Sequence, residues 1–141
     1  MNTTNIEAKP RPARRPLTIA DLMTATPLTI GTDQKLSRAH EVMREHQIRH
    51  LPVLRGGKLV GVLSQRDLYF LESVAGVDVN IDEVADAMST DVYTTYPEAT
   101  LREVARVMSE QKYGCAVVVD HGRVVGIFTV TDAVRHLADT L

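Results

Sequence analysis

The order of apolar and polar residues is the same in two successive stretches of this chain. In the first stretch, Leu36, Ala39 and Met43 form a stripe in which apolar residues recur at helical spacing. That spacing places the three side chains on one face and predicts an amphipathic helix with that face buried. The corresponding residues of the second stretch are Leu101, Val104 and Met108.

Two short apolar runs follow each of these helices and predict paired strands. HLPVL and LVGVLS are joined by RGGK in the first stretch, and CAVVV and VVGIFT are joined by DHGR in the second. Apolar and polar residues hardly alternate within the runs, so we expect strands that are buried on both faces. Gly57 and Gly122 provide the positive φ of a tight hairpin turn. A last helix is predicted after Ser64 in one stretch and after Thr129 in the other.

A short leading helix is predicted before each amphipathic helix. Thr18 with Asp21, and Asn80 with Glu83, have the spacing of capping boxes, in which each side chain accepts a hydrogen bond from the other residue's backbone. We therefore expect one leading helix to begin after Thr18 and the other after Asn80. The extended segments that follow the leading helices are LTI at 28–30 and YTT at 93–95.

Capping residues are also predicted at the start of the amphipathic helices. Thr100 and Glu103 have the capping spacing at the start of the second helix. Basic residues stand at the two equivalent positions of the first helix. We therefore expect Thr32 or Asp33 to cap the first helix instead.

The two stretches are copies of one unit, because a shift of 65 residues (126 − 61) aligns residues 19–71 with 84–136 without a gap. GVLSQRD at 61–67 and GIFTVTD at 126–132 are the most similar segments. Identical pairs include Asp21/Asp86, Met23/Met88, Gly61/Gly126 and Asp67/Asp132. A single unit of this size buries little apolar surface by itself, so we expect the two to pack sheet to sheet around one shared core. The predicted boundaries are an arm at 1–16, repeat 1 at 17–71, a connector at 72–83 and repeat 2 at 84–141.

Composition fits a globular protein, with 44% hydrophobic and 24% charged residues. The single cysteine, Cys115, excludes an internal disulfide and is compatible with a reducing compartment. No apolar run approaches the roughly 20 residues of a membrane span, and the N-terminus lacks the apolar stretch of a secretory signal. We therefore expect a cytoplasmic protein without a membrane partner. Residues 1–16 carry four basic residues, one acid and three prolines, and are predicted to form a disordered basic arm.

Several segments resemble the CBS domain, the module named after cystathionine β-synthase. The strongest resemblance lies in IRHLPVLRGGKLVGVLSQRDL, and it extends to IADLMTATPLTI and VADAMSTDVYTTYPEATLREVARVM. The resemblance implies an α/β fold of two tandem CBS repeats, called a Bateman module, with a pseudo-twofold axis and two clefts. It also implies a homodimer in which helices beside the clefts of two modules pack together into a flat disc. Modules of this kind sense AMP, ADP, ATP or S-adenosylmethionine and regulate a partner.

The chemistry of the Ser/Thr-x-x-Asp motif fits such a ligand. Ser64 and Thr129 each stand where a strand ends and a helix begins, and the free N–H groups of a helix N-terminus suit a phosphate. Asp67 or Asp132 offers two carboxylate oxygens to the adjacent hydroxyls of a ribose. The same motif is also an ordinary capping box. Both interpretations remain open at this point.

The resemblance places a base between the segment before the first strand of a repeat and the start of the next strand. For the first site it implies Thr24, Ile30, Arg49, His50, Leu51, Pro52, Ser64, Arg66 and Asp67. For the second site it implies Ser89, Thr95, Gly114, Cys115, Ala116, Thr129, Thr131 and Asp132.

The two sites differ in charge. Arg49 and Arg66 stand in the first site where Gly114 and Thr131 stand in the second. Arginine forms charge-assisted hydrogen bonds with phosphate, so a polyphosphate ligand favours the first site. The second site suits a less charged adenosyl compound or remains empty.

No catalytic or metal-binding constellation is recognisable. His46 and His50 have the spacing of a helical zinc pair, but Pro52 and the strand that begins near His50 exclude one continuous helix. Cys115 starts an apolar strand and is interpreted as a buried hydrophobic residue. We expect a regulatory module without enzymatic activity, metal or cofactor, acting on an unknown effector protein. The alternatives are a ligand-free dimerisation scaffold and, less favoured, a nucleic-acid binder that uses the basic arm.

Overall fold

The computed structural model describes residues 15–74 and 76–141, so most of the predicted arm at 1–16 lies outside the described residues. The elements of the first repeat are α1 (Ile19–Leu22), β1 (Thr24–Ala25), β2 (Ile30–Gly31), α2 (Leu36–His46), β3 (His50–Arg55), β4 (Lys58–Ser64) and α3 (Gln65–Glu72). The elements of the second repeat are α4 (Val84–Ala87), β5 (Thr94–Thr95), α5 (Leu101–Gln111), β6 (Cys115–Asp120), β7 (Arg123–Thr129) and α6 (Val130–Thr140). The predicted mixed α/β fold of two repeats is confirmed. None of these helices is long and apolar enough to cross a membrane.

Two sheets form, with strand orders β2-β3-β4 and β1-β7-β6-β5. Each contains one antiparallel hairpin, β3 with β4 and β6 with β7, and one short parallel strand beside it. The hairpin turns contain Gly57 at φ +80° and Gly122 at φ +76°, as predicted. The expected burial on both faces holds for the first four residues of β6, whereas Leu59 and Val60 in β4 are half-buried.

The leading segment of each repeat joins the other repeat. Strand β1 pairs with β7, with Thr24 opposite Ile127. Ser89 occupies the equivalent position on β4, where it exchanges two backbone hydrogen bonds of 2.9 Å with Val62. The leading helices and strands are thus exchanged between the two repeats, which joins the repeats through their backbones.

The apolar interior consists of two clusters, so the prediction of a single shared core is wrong. The first cluster contains Leu36, Leu51 and Leu63 from repeat 1 together with Val84 from α4. The second contains residues of repeat 2, among them Phe128, together with Ile19 from α1. The side chains of Ile19 and Val84 are fully buried. Each repeat therefore has its own core, and the other repeat's leading helix completes it.

Helix starts agree with prediction in two places. At α1, the Thr18 backbone N–H donates to Asp21 Oδ2 at 2.8 Å. At α5, the Glu103 N–H donates to Thr100 Oγ1 at 3.1 Å. Both hydrogen bonds satisfy donors that a helix N-terminus otherwise leaves free.

The expected caps of α4 and α2 are wrong. Helix α4 begins after Glu83, whose N–H donates to Asp86 Oδ2 at 2.9 Å, because Asn80 instead forms a turn with Asp78. Helix α2 begins after Lys35, without a cap from Thr32 or Asp33. The connector supplies the partners instead, since the N–H groups of Leu36 and Ser37 donate to the carbonyls of Asp82 and Val79 at 3.0 and 2.9 Å.

Candidate functional site

The first candidate site is the turn from Ser64 to Asp67, which joins β4 to α3 and is called the first corner. The backbone is extended at Ser64 and helical from Gln65 onward. The Asp67 N–H donates to Ser64 Oγ at 3.0 Å, and the Ser64 N–H donates to Asp67 Oδ2 at 3.3 Å. This arrangement is a capping box. Among the described residues no hydrogen bond reaches Asp67 Oδ1, which leaves that oxygen available to a ligand.

The second corner joins β7 to α6 and is more fully bonded. The Thr129 N–H and hydroxyl donate to Asp132 Oδ2 at 2.9 and 3.0 Å, and the Asp132 N–H donates to Thr129 Oγ1 at 3.2 Å. Arg135 Nη1 donates to Asp132 Oδ1 at 3.3 Å. Both carboxylate oxygens of Asp132 are therefore engaged, whereas Asp67 has one such oxygen without a partner among the described residues.

The strand starts beside the corners hold several predicted residues. His50 lies opposite Ser64 in the β3–β4 hairpin. The Arg49 carbonyl accepts from the Gln65 N–H at 2.9 Å, and the side chains of Arg49 and Arg66 are exposed. Leu51 and Pro52 follow His50 and are buried in the sheet. The exposed residues Arg49 and Arg66 and the buried residues Leu51 and Pro52 therefore all lie within a few positions of the strand ends at the first corner.

The second strand start repeats this arrangement with different side chains. Cys115 lies opposite Thr129, and the Gly114 carbonyl accepts from the Val130 N–H at 3.1 Å. Burial raises the pKa of the Cys115 thiol to about 12, so the thiol stays neutral. Ala116 is fully buried, and Thr131 is exposed. This corner lacks the two arginines of its counterpart.

Thr24, predicted for the first site, and Ser89, predicted for the second, each pair with a strand of the other repeat. Thr24 pairs with Ile127 in β7, the strand that ends at Thr129, and Ser89 bridges Val62 in β4, the strand that ends at Ser64. Ile30 and Thr95 remain in their own repeats, opposite Val53 and Val118. The structure therefore brings Ser89 toward the first corner and Thr24 toward the second. Local sequence does not encode this exchange.

His50 contacts the second repeat directly. Its Nε2 lies 2.9 Å from the position that a Cβ would occupy at Gly114. Burial lowers the pKa of His50 below its ordinary 6.5. Asp67 and Asp132 act in the opposite direction, and Arg49 lowers the pKa further. The imidazole therefore senses the charges of both corners.

A tyrosine pair lies in the second repeat and was not predicted from the sequence. Tyr93 and Tyr113 stack with ring centroids 5.4 Å apart, and the Tyr113 hydroxyl donates to Asp91 Oδ1 at 3.0 Å. That hydrogen bond raises the pKa of Tyr113. The repeat alignment contained a signal for this pair. Tyrosines stand at 93 and 113, whereas the first repeat has the aliphatic residues Leu28 and Ile48 at the equivalent positions.

Two surface cavities, of about 350 and 330 Å³, lie along α2 and not at the corners. One is lined by Ile30, a predicted site residue, together with Leu28, Val42 and His46. Among residues 15–74 and 76–141, no group of three or more His, Cys, Asp or Glu side chains could hold a metal ion.

Two exchanged α/β repeats with a Ser/Thr-x-x-Asp corner in each define a tandem pair of CBS domains. The family model for the CBS domain matches residues 19–72 and 84–139, and the chain belongs to this family. It is 32% identical over 123 residues to hypoxic response protein 1 of Mycobacterium tuberculosis, covering 86% of each protein. It is 35% identical over 106 residues to inosine-5'-monophosphate dehydrogenase of Korarchaeum cryptofilum. That match covers 74% of this chain and only 21% of the dehydrogenase.

Solved structures of CBS domain pairs have the same fold. The CBS domain pair of protein MJ0100, solved with 5'-methylthioadenosine and S-adenosyl-L-methionine, has a TM-score of 0.81 and 26% identity, covering 90% of this chain and all of that one. CBSX2, solved in complex with AMP, has a TM-score of 0.76 and 26% identity, covering 88% of this chain and 98% of that one.

Proposed function

We propose that this chain is a regulatory module that binds an adenosyl ligand and changes the surface it offers to a partner. One observation carries the proposal: two Ser/Thr-x-x-Asp corners stand at helix N-termini of a CBS pair, and similar pairs were solved with AMP and with S-adenosyl-L-methionine. The ligand acts as a regulatory signal and not as a cofactor. The module is not an enzyme in this proposal.

Each proposed site combines residues of both repeats. Ser64 and Asp67 form the first site with the segment at Ser89, and Thr129 and Asp132 form the second site with the segment at Thr24. The N–H groups of Gln65 and Asp67 are bonded to Arg49 and Ser64, so a phosphate accepts from the remaining N–H group of the first turn, that of Arg66. A ribose hydroxyl donates to the Asp67 Oδ1 atom. A ligand bound in this way touches both repeats, so it favours one relative orientation of the repeats.

The first site is the proposed position of a phosphate-bearing ligand. Arg49 and Arg66 are exposed beside Ser64 and can form charge-assisted hydrogen bonds with phosphate. At the second site, Asp132 is already bonded to Arg135 and Thr129. A less charged adenosyl compound, or none, occupies that site.

Exposed apolar side chains on α3 and α6, the outer helices of the two repeats, support a homodimer. Tyr69 and Phe70 of α3 are 58% and 72% exposed, and Val134 and Leu137 of α6 are 58% and 56% exposed. Apolar side chains exposed in this way on α3 and α6 mark a protein–protein contact. A second copy of the chain covers these helices in our proposal, and an effector protein recognises the resulting assembly in the cytoplasm.

A dimerisation scaffold without a ligand is the second candidate function. It is favoured by the two complete capping boxes, which account for Ser64, Asp67, Thr129 and Asp132 without a ligand. Nucleic-acid binding has less support. Of the basic residues in the predicted arm, Arg15 is described, and it donates to both carboxylate oxygens of Asp21 at 2.9 and 2.8 Å.

Thermal unfolding with AMP, ADP, ATP and S-adenosylmethionine separates the two main candidates. A ligand at 100 times its dissociation constant stabilises the fold by about 2.7 kcal/mol, which raises Tm by roughly 5 °C or more. Asp67→Ala should lose this increase. Thr100→Ala is the matched control, because it removes a helix cap that belongs to neither proposed site. Absence of an increase with all four ligands favours the scaffold.

A further inference from the structure

His50 links the two corners, because its backbone pairs with Ser64 at the first corner and its imidazole ring contacts Gly114 beside the second. His50 lies opposite Ser64 in the hairpin, and its Nε2 reaches Gly114 of the other repeat. The Gly114 carbonyl in turn accepts from the Val130 N–H at the start of α6. The ring therefore lies between the N-termini of α3 and α6, where the two sites are proposed.

The charged groups that face this ring come from α3, from α6 and from the residue before β3. Burial disfavours the imidazolium form, Asp67 on α3 and Asp132 on α6 favour it, and Arg49 disfavours it. The thiol of Cys115, next to Gly114, is neutral because burial raises its pKa to about 12. A negative charge added at either corner would thus shift the ring toward its protonated form.

The pseudo-twofold symmetry of the repeats does not provide a second histidine at the position equivalent to His50. The shift of 65 residues that relates the repeats places Cys115 at the position of His50, and Arg49 at the position of Gly114. Glycine at 114 leaves room for the ring, since a Cβ there would lie 2.9 Å from Nε2. One histidine thus serves both corners.

We propose that His50 couples the two sites by taking up a proton when a phosphate-bearing ligand binds at the first site. The positive charge then makes the second site, which by itself suits a less charged ligand, more favourable to an anion. This inference rests on the proposed function. The proton comes from solvent, is held on the imidazole while the phosphate is bound, and returns to solvent on release. A neutral ligand such as 5'-methylthioadenosine adds no charge and takes up no proton through His50. Coupling energies between sites typically change affinity by about 5-fold or more.

Titration calorimetry of AMP in two buffers with different ionisation enthalpies measures this uptake. Free AMP ionises identically in both experiments, so the difference between wild type and His50→Gln measures the contribution of His50, and the NMR titration described below assigns it to the imidazole. We expect His50→Gln to take up fewer protons at pH 6.5 and to lose the enhanced affinity for the second AMP. His121→Gln is the matched control, because His121 is 93% exposed in the β6–β7 turn, and it should behave as wild type.

Gly114→Ala tests the geometry without removing a titratable group. The added Cβ pushes the His50 ring away from residue 114. Proton uptake on AMP binding should therefore fall as it does in His50→Gln. NMR titration of the wild-type imidazole needs no variant: AMP should raise the pKa of His50, and 5'-methylthioadenosine should leave it unchanged.

The outcomes separate this inference from the proposed function. AMP binding to wild type with the same proton uptake as His50→Gln, or with an unchanged His50 titration, overturns the coupling and leaves the sensor intact. Failure of AMP and 5'-methylthioadenosine to bind wild type overturns both.

Discussion

The sulfur of Met88 lies 2.7 Å from the position that a Cβ would occupy at Gly61. The relationship recurs at the other end of the module, where Met23 contacts the equivalent position of Gly126. Each methionine follows a leading helix of one repeat, and each glycine lies in the second hairpin strand of the other. The interface between the repeats therefore explains why both residue types occur twice.

Gly61→Ala should destabilise the protein by about 1–3 kcal/mol, the usual cost of overpacking. Gly61 lacks a positive φ, so the cost reflects contacts of the added Cβ with the Met88 side chain and with the Ser89 carbonyl oxygen 2.9 Å away, and not backbone strain. Urea unfolding measures the change. The double variant Gly61→Ala/Met88→Ala should lose less stability than the sum of the single variants, and strict additivity would contradict the contact.

Ile19→Ala should destabilise the second repeat although Ile19 belongs to the first. Its side chain is fully buried beside Phe128 and Ala99, and removal of such a side chain costs about 2–5 kcal/mol. Amide hydrogen exchange should accelerate most in β6 and β7. Ile81→Ala is the control, since Ile81 is 65% exposed. Acceleration confined to β3 and β4 would contradict the exchange of leading helices.

Prediction from sequence succeeded where the signal is local or periodic. The helical stripe through Leu36, the hairpin glycine at 57 and the box formed by Thr18 all gave correct elements. Exchange of the leading segments was missed because the register of Thr24 on β7 depends on contacts between distant parts of the chain. The connector carbonyls that cap α2 were missed for the same reason. The ligand-binding roles of the predicted site residues remain predictions.

His50 should make the stability depend on pH below about neutrality. Burial lowers its pKa in the folded state below the ordinary 6.5, so the unfolded chain takes up a proton at a higher pH than the folded chain does. The free energy of unfolding therefore decreases as pH falls from 6.5 toward the folded-state pKa. Denaturant titrations should show a shallower decrease for His50→Gln, and an unchanged slope would disagree with a buried imidazole.

Phe70→Glu should dissociate the proposed homodimer. Phe70 is 72% exposed on α3, and a carboxylate in an apolar contact between two copies is costly. Light scattering coupled to gel filtration should give the dimer mass for wild type and the monomer mass for the variant. Tyr96→Glu is the control, because Tyr96 is 51% exposed outside the outer helices. A monomeric wild type would contradict the dimer.

The account depends most directly on ligand binding at the first corner. Titration calorimetry of AMP, ATP and S-adenosylmethionine should give saturable binding for wild type and for the control Thr100→Ala. Binding of the phosphate-bearing ligands should weaken at least about tenfold in Asp67→Asn, since the amide offers one acceptor oxygen where the carboxylate offers two. Saturable binding with that loss supports the sensor. No heat of binding with any of the three ligands, or equal affinity in wild type and Asp67→Asn, would contradict it.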